Sequence, residues 1–408
     1  MAFQLGAAGV AGQGVTAPDP LGASAVPAWG AGPRRLVAMR LGSKREPPDQ
    51  FMELLRLWMA RPAVGRKKSA VPNEAASPAA PSFRVKSETF DEIAEISRQR
   101  LKHGSMSFAR AAQLFPPGLR TSAFMLYAWC RHCDDEIDGQ ILGAAPVAGA
   151  TRSPLVVAEA ERKLDELRNE TLAALAGKAI EPVFIGLQRV VEAHQIPARY
   201  PLDLIEGMAM DVRGRRYATI DDTLSYAYYV AGVVGVMMAT IMGARDRATL
   251  ERASDLGIAF QLTNIARDVI DDAAQGRVYL PQDWLLQNGV AAHEVGEPRH
   301  RWAVFRTTAR LLDVADDYYA SAAIGIGRLP FRSAWAIASA RRVYRGIGDI
   351  VRDRKDRAWD QRARTGSLGQ LRGIAFASVE AAGLISSRGS RQPKPRVGLW
   401  TPSHLWST

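Results

Sequence analysis

Little in this chain points to covalent cross-links, a nucleotide cofactor or strands. Only two of its 408 residues are cysteines, Cys130 and Cys133, which excludes a disulfide-stapled scaffold. No second Cys or His pair stands at zinc-ligand spacing. Both cysteines fall inside the helical pattern FMLYAWCRHCDDEID, so they are expected as reduced packing residues of a cytosolic protein. There is no Walker-type Gly-rich loop and no dinucleotide fingerprint. Runs of alternating β-branched residues, a repeat of fixed period and a secretory signal are also missing. The net charge is +11, but residues 1–85 hold 11 basic and 5 acidic residues, so +6 of it lies there. The remaining charges are interspersed rather than gathered on one face, which argues against nucleic acid as a partner. That balance implies at most a weak preference for anionic lipid or a polyanionic substrate.

Three regions differ in texture. Residues 1–84 carry 10 of the 23 prolines and no sustained apolar period, and are expected to be a low-complexity, disordered leader. Within it FMELLRLWMARP (51–62) could lie on a membrane surface, and a native start at Met52 or later is an open alternative. Residues 85–388 read as helical almost throughout, with apolar positions recurring at three and four. One all-α domain is expected there, followed by a Pro- and Arg-rich tail over 389–408. The stretch 223–244 has no charge and is long enough to cross a bilayer. It also holds three Gly, two Thr, one Ser and three Tyr, which favours the buried central helix of a large helical domain.

The sharpest signal is a pair of acidic helical stripes. In the first, Tyr127, Arg131, Asp134 and Asp138 fall within about 60° of arc at 100° per residue. In the second, Gln261, Asn264, Asp268 and Asp272 share a face, with Arg267 at its flank. Carboxylates four apart on a helix repel. A divalent cation reverses that sign: Mg²⁺ takes carboxylate oxygens and accepts phosphate oxygens as further ligands. Two such stripes, each with an arginine within a turn, predict a metal-bridged diphosphate site between facing helices.

Plainer roles fall to other conspicuous residues. His103 and His132 are expected at a helix surface, and Trp284, Trp302 and Trp335 in the core. Arg341, Arg342 and Arg345 are expected on a solvated face, with Arg342 alternatively reaching a diphosphate. Asp221 is placed as a cap before Thr223, and Asp316 and Asp317 at the surface.

These stretches resemble the squalene and phytoene synthases, head-to-head prenyltransferases of the isoprenoid-synthase fold. The resemblance runs from about Gly104 to Trp359. It rests on YAYYVAGVVG from Tyr226 to Gly235. It rests also on Gly257, Gln261, Asn264, Arg267, Asp268, Asp272, Arg277, Tyr279 and Pro281, at the family's spacing. MLYAWCRHCDDEID, MDVRGRRY and RSAWAIASARRVYR are most similar to the bacterial phytoene-forming members.

The resemblance implies a single helical domain with a central cavity. It implies condensation of two geranylgeranyl diphosphates, through prephytoene diphosphate, to phytoene with release of diphosphate. The same chemistry on farnesyl diphosphate, giving squalene or dehydrosqualene, is the alternative. Asp134, Asp138, Asn264, Asp268 and Asp272 would bind Mg²⁺ or Mn²⁺. Ser105, Ser107, Arg131 and Arg267 would contact diphosphate, and Tyr127, Gln261 and Tyr344 would contact substrate. Tyr226 would stand near the reacting carbons. No NADPH is expected. A cytoplasmic enzyme peripherally attached to the membrane, beside other carotenoid enzymes, is the setting this implies.

Overall fold

The structure is a computed structural model that describes residues 114–142, 154–363, 367–387 and 396–402. Expectations for residues 1–84, His103, Ser105 and Ser107, and for the side chain of Asp138, lie outside the described residues. Among the described residues every regular element is a helix, as expected, and all belong to one compact unit, 81–408.

Proline and polar caps set the helix starts. Helix α1 (Pro117–Leu142) begins behind Pro116, and α2 spans Pro154–Leu175. Helix α3 (Pro182–His194) opens on proline and ends where Gln195 turns left-handed at φ 52°. Helices α4 (Arg199–Val212) and α5 (Ile220–Ala227) follow. The cap of α5 corrects the expectation for Asp221. Asp222, not Asp221, folds back to accept from the backbone N–H groups of Ala218 and Thr219, each at 3.1 Å.

The chain then runs through a π-helical turn, Tyr228–Gly232, into α6 (Val233–Ile241). Helix α7 (Arg247–Ala274) is capped by Asp246, whose carboxylate accepts from Thr249 N–H at 2.9 Å. Helices α8 (Gln282–Gln287), α9 (Arg301–Ile326), α10 (Phe331–Arg354) and α11 (Ser367–Ser386) complete the body.

Helix α7 is the axis, flanked by α6, the π turn, α9 and α10, while α1 packs on α2, α3 and α4. The crossing of α7 with the α6 segment is a backbone contact. A Cβ at Gly235 would lie 2.3 Å from the carbonyl oxygen of Ala253, and one at Gly257 2.2 Å from that of Ala231. Only glycine permits so close an approach. The uncharged segment is buried as expected: Tyr228, Val233, Val236 and Met237 are fully enclosed. Ile220–Ile241 is the one described stretch apolar and long enough to cross a membrane, and 67% of its most apolar window is buried.

Two bland expectations fail. Trp284 and Trp335 are buried, but Trp302 is 53% exposed, because it sits in the first turn of α9 beside Phe305 rather than under another helix. Arg341 is not solvated. It is held between Glu380 at 2.7 Å and the carbonyl of Tyr319 at 3.0 Å, where α11 covers α10. The two cysteines are free, and Cys133 is buried.

Candidate functional site

A cavity of about 320 Å³ opens between α1, α4, α5 and the second half of α7. Its acid walls come from the two stripes. Asp134 on α1 faces Gln261, Asn264, Asp268 and Asp272 on α7, and Arg267 lies at the edge. Both stripes therefore reach one cavity because α1 and α7 each present a helical face of period 3.6 toward it.

The α7 wall carries charge that the protein does not fully neutralise. Arg267 pairs bidentately with Asp268, through Nε at 2.8 Å and through Nη2. Arg362 reaches the same carboxylate at 3.1 Å. Among the described residues Asp272 has no such bidentate clamp. Burial first, then the neighbouring Asp268, push its carboxyl up to about 7, against the opposing pull of Arg277. One turn before Asp268 on the same stripe, Asn264 buries its Oδ1. That oxygen is buried and has no hydrogen-bond partner among the described residues, while its amide donates to Gln261 at 3.4 Å. An orphaned amide oxygen and an under-compensated carboxylate, each one turn from Asp268 on either side, are what a hard divalent cation would satisfy. The residues present thus fit the metal that the acidic stripes imply. Tighter clusters, with three donor atoms within 4.8 Å of one another, occur among the described residues only outside the cavity, at His132–Glu170–Glu181 and Glu294–Glu297–His300.

The opposite side of the cavity is aromatic. Tyr226 and Val230 project from α5 and the π turn, and Tyr279 from the segment after α7. Tyr226 and Tyr279 stack at 4.7 Å between centroids. Their hydroxyls each donate to Asp211 of α4 at 2.8 Å. Burial pushes both phenols well above their usual range, and the charge of Asp211 adds to it.

The remaining predicted residues lie at the rim. Tyr127 is half-buried on α1, and burial raises its hydroxyl to about 12. Tyr344 of α10 stacks on Phe260 at 4.3 Å and lies within electrostatic reach of Tyr127 and Arg267. Arg131 pairs with Asp135 at 2.6 Å and is partly exposed. Asp211 and Arg362 were not singled out by sequence reasoning. Asp211 ends an apolar run, LIEGMAMD, where a lone acid reads as a helix terminus. Arg362 is one of many arginines in RDRKDRAWDQRAR. The spacing pattern that contains Arg277 and Tyr279 was the available signal for those two.

Comparison with known proteins agrees with this geometry. Residues 101–368 match the family model described as squalene/phytoene synthase. The chain is 50% identical over 311 residues to a 15-cis-phytoene synthase of Paracoccus sp. (strain N81106 / MBIC 01143), covering 76% of this chain and 97% of that one. It is 49% identical over 304 residues to a 15-cis-phytoene synthase of Pantoea ananas, covering 74% and 94%. Among solved structures, a dehydrosqualene synthase in complex with ligand superposes with a TM-score of 0.64 at 24% identity, covering 72% and 99%.

Proposed function

The chain belongs to the squalene/phytoene synthase family, and from that membership we propose that it is a prenyltransferase joining two geranylgeranyl diphosphates head to head into phytoene. The observation that carries the reading is one cavity with acid stripes of two helices on one side and a stacked tyrosine pair on the other. The roughly 50% identity to 15-cis-phytoene synthases supports the twenty-carbon substrate and a place in carotenoid synthesis.

Each wall has a task. Asp134 and Asp138 on α1, with Asn264, Asp268 and Asp272 on α7, would hold Mg²⁺ or Mn²⁺. When bound, the metal neutralises charge that develops on the departing diphosphate. Arg267 and Arg131 bind diphosphate oxygens, as do Ser105 and Ser107; the planar guanidinium of Arg267 suits bidentate contact. Gln261, Tyr127 and Tyr344 orient the first prenyl units. The allylic cation is attacked by the second substrate's double bond, and proton loss closes the cyclopropane of prephytoene diphosphate. A second ionisation, rearrangement and proton loss, without NADPH, give phytoene. Water would quench each cation, so the uncharged stretch 223–244 keeps the chamber dry. Tyr226 offers its ring face to the positive charge. The substrates and product are lipids, so the enzyme works at the cytoplasmic face of a membrane, near other carotenoid enzymes.

The test is product analysis. Purified protein is given geranylgeranyl or farnesyl diphosphate, with or without Mg²⁺, Mn²⁺ and NADPH. A forty-carbon hydrocarbon from geranylgeranyl diphosphate, dependent on metal and indifferent to NADPH, is expected. A thirty-carbon product from farnesyl diphosphate alone would keep the mechanism and overturn the substrate.

A further inference from the structure

Three separate segments meet at one carboxylate in the cavity wall. Asp211 stands near the end of α4, Tyr226 in α5, and Tyr279 beyond the end of α7. Asp211 Oδ2 accepts from the Tyr226 hydroxyl and Oδ1 from the Tyr279 hydroxyl, both at 2.8 Å. Each carboxylate oxygen thus fixes one ring, and the two rings stack at an interplanar angle of 16°. Tyr217 closes the cluster edge-on to Tyr226 at 5.3 Å. The rings are almost wholly buried, Tyr226 at 4% and Tyr279 at 7% exposure.

We propose that Asp211 is a positioning residue for the condensation: it locks Tyr226 and Tyr279 as one π surface and makes that surface more attractive to a carbocation. The inference rests on the prenyltransferase reading above. A phenol that donates to a carboxylate is polarised, so electron density moves toward its ring. In a dry cavity such a ring face attracts positive charge more strongly. The same two bonds commit both phenolic protons to Asp211. Neither tyrosine then has a proton to give to a diphosphate oxygen, and neither ionises at ordinary pH. The pair therefore acts through its faces and not as a general acid. Asp211 also ties the α5 wall to the chain leaving α7, so the π surface keeps a fixed position relative to the acid wall.

The experiment compares full-length wild-type protein with Asp211→Asn, Tyr226→Phe and the double variant, using geranylgeranyl diphosphate and Mg²⁺. An asparagine of the same size can accept through one oxygen only. The expected result for Asp211→Asn is a fall in kcat of about 30-fold with KM changed by less than about threefold, because the loss is felt in the cationic states. Water-quenched alcohols should rise relative to hydrocarbon. Tyr226→Phe should cost about tenfold alone and less than about threefold in the Asp211→Asn background, the mark of groups acting together.

Wild-type kcat in Asp211→Asn, a rise in KM with kcat kept, or full additivity overturns the proposal. If Asp211→Asn does not fold, Tyr279→Phe is the second variant, since it keeps the carboxylate and the Tyr226 bond. Its kcat should fall about fivefold at an unchanged melting temperature, and an unchanged kcat overturns the proposal. A wild-type protein that makes no hydrocarbon would instead sink the proposed function, so the two failures are distinct.

Discussion

Helix α7 carries two carboxylates 17 residues apart, one buried and one half-buried, and treats them differently. Asp255, in its first half, is fully buried, and burial pushes its carboxyl up. Yet it is met by a full set of partners. Arg396, from the Pro- and Arg-rich C-terminal stretch, reaches both oxygens at 2.6–3.0 Å. Ser321 of α9 donates at 2.5 Å. The same arginine reaches the carbonyl of Trp400, whose N–H donates to Tyr318 and whose ring lies 6.1 Å from Tyr228. Asp272, in the second half, has Asp268 and Asp211 for neighbours and keeps a carboxyl near 7. One end of the helix resolves its buried charge internally. At the other, the described residues compensate the charge only in part. Stability and chemistry are thus divided along a single element, about 25 Å apart at 1.5 Å per residue.

The largest effect should come from removing a ligand on the second half. Asp268→Ala is expected to lower turnover about 10³-fold or more, the scale of losing metal and diphosphate binding. Its melting temperature should change little, because relief of the like charge beside Asp272 offsets the lost contacts to Arg267 and Arg362. Steady-state rates and a thermal melt on the same preparation check both. An inactive variant that is also strongly destabilised would break the division.

The mirror experiment is Arg396→Ala. It leaves Asp255 buried, with the Ser321 hydrogen bond and the nearby charge of Arg252 but no direct ion pair, which should cost roughly 3–5 kcal/mol. Denaturant midpoints measure it, and the folded fraction should keep its KM. A variant of unchanged stability would show that the C-terminal stretch is not an anchor.

These expectations were not equally legible in the sequence. The acid stripes were, because Asp134 and Asp138, and Asp268 and Asp272, follow the helical period four apart and repel unless something binds them. The buried helix over 223–244 was, because its Gly and Thr suit a protein interior. The partner of Asp255 was not: 141 residues separate it from Arg396, and periodicity carries no information across that distance. Asp211 was missed because its role depends on two hydroxyls that folding brings to it, one from α5 and one from the segment after α7. Trp302 and Arg341 were misplaced because residue type was read without knowing which faces α9 and α10 turn toward α11.

A smaller effect separates the halves by pH. The carboxyl of Asp272 holds its proton more tightly folded, near 7, than an ordinary carboxyl at 3.8 does. The metal-free protein should therefore be most stable below about pH 4, as far as this group is concerned, and lose that contribution as pH rises toward 7. The loss should be of the order of 2–4 kcal/mol. Asp272→Asn should flatten the slope between those values. Mg²⁺ should oppose the loss, and more so at higher pH, since the cation competes with the proton. A slope unchanged in Asp272→Asn would assign it to another group.

The smallest expected effect is the most demanding of the comparison. Asp246 caps the start of α7, accepting from the Thr249 N–H and hydroxyl, both at 2.9 Å. Asp246→Ala should cost about 1 kcal/mol, the ordinary loss for an N-cap, with kcat and KM unchanged. The cap lies in the half of α7 whose polar groups are satisfied by the protein itself, and the tight crossing at Gly257 stands between it and the acid wall. Fraying at the first turn should stop before that crossing. Should kcat fall while the stability loss stays near 1 kcal/mol, strain would be passing through the crossing to Asp268 and Asp272. The two halves of α7 would then be one mechanical unit rather than two.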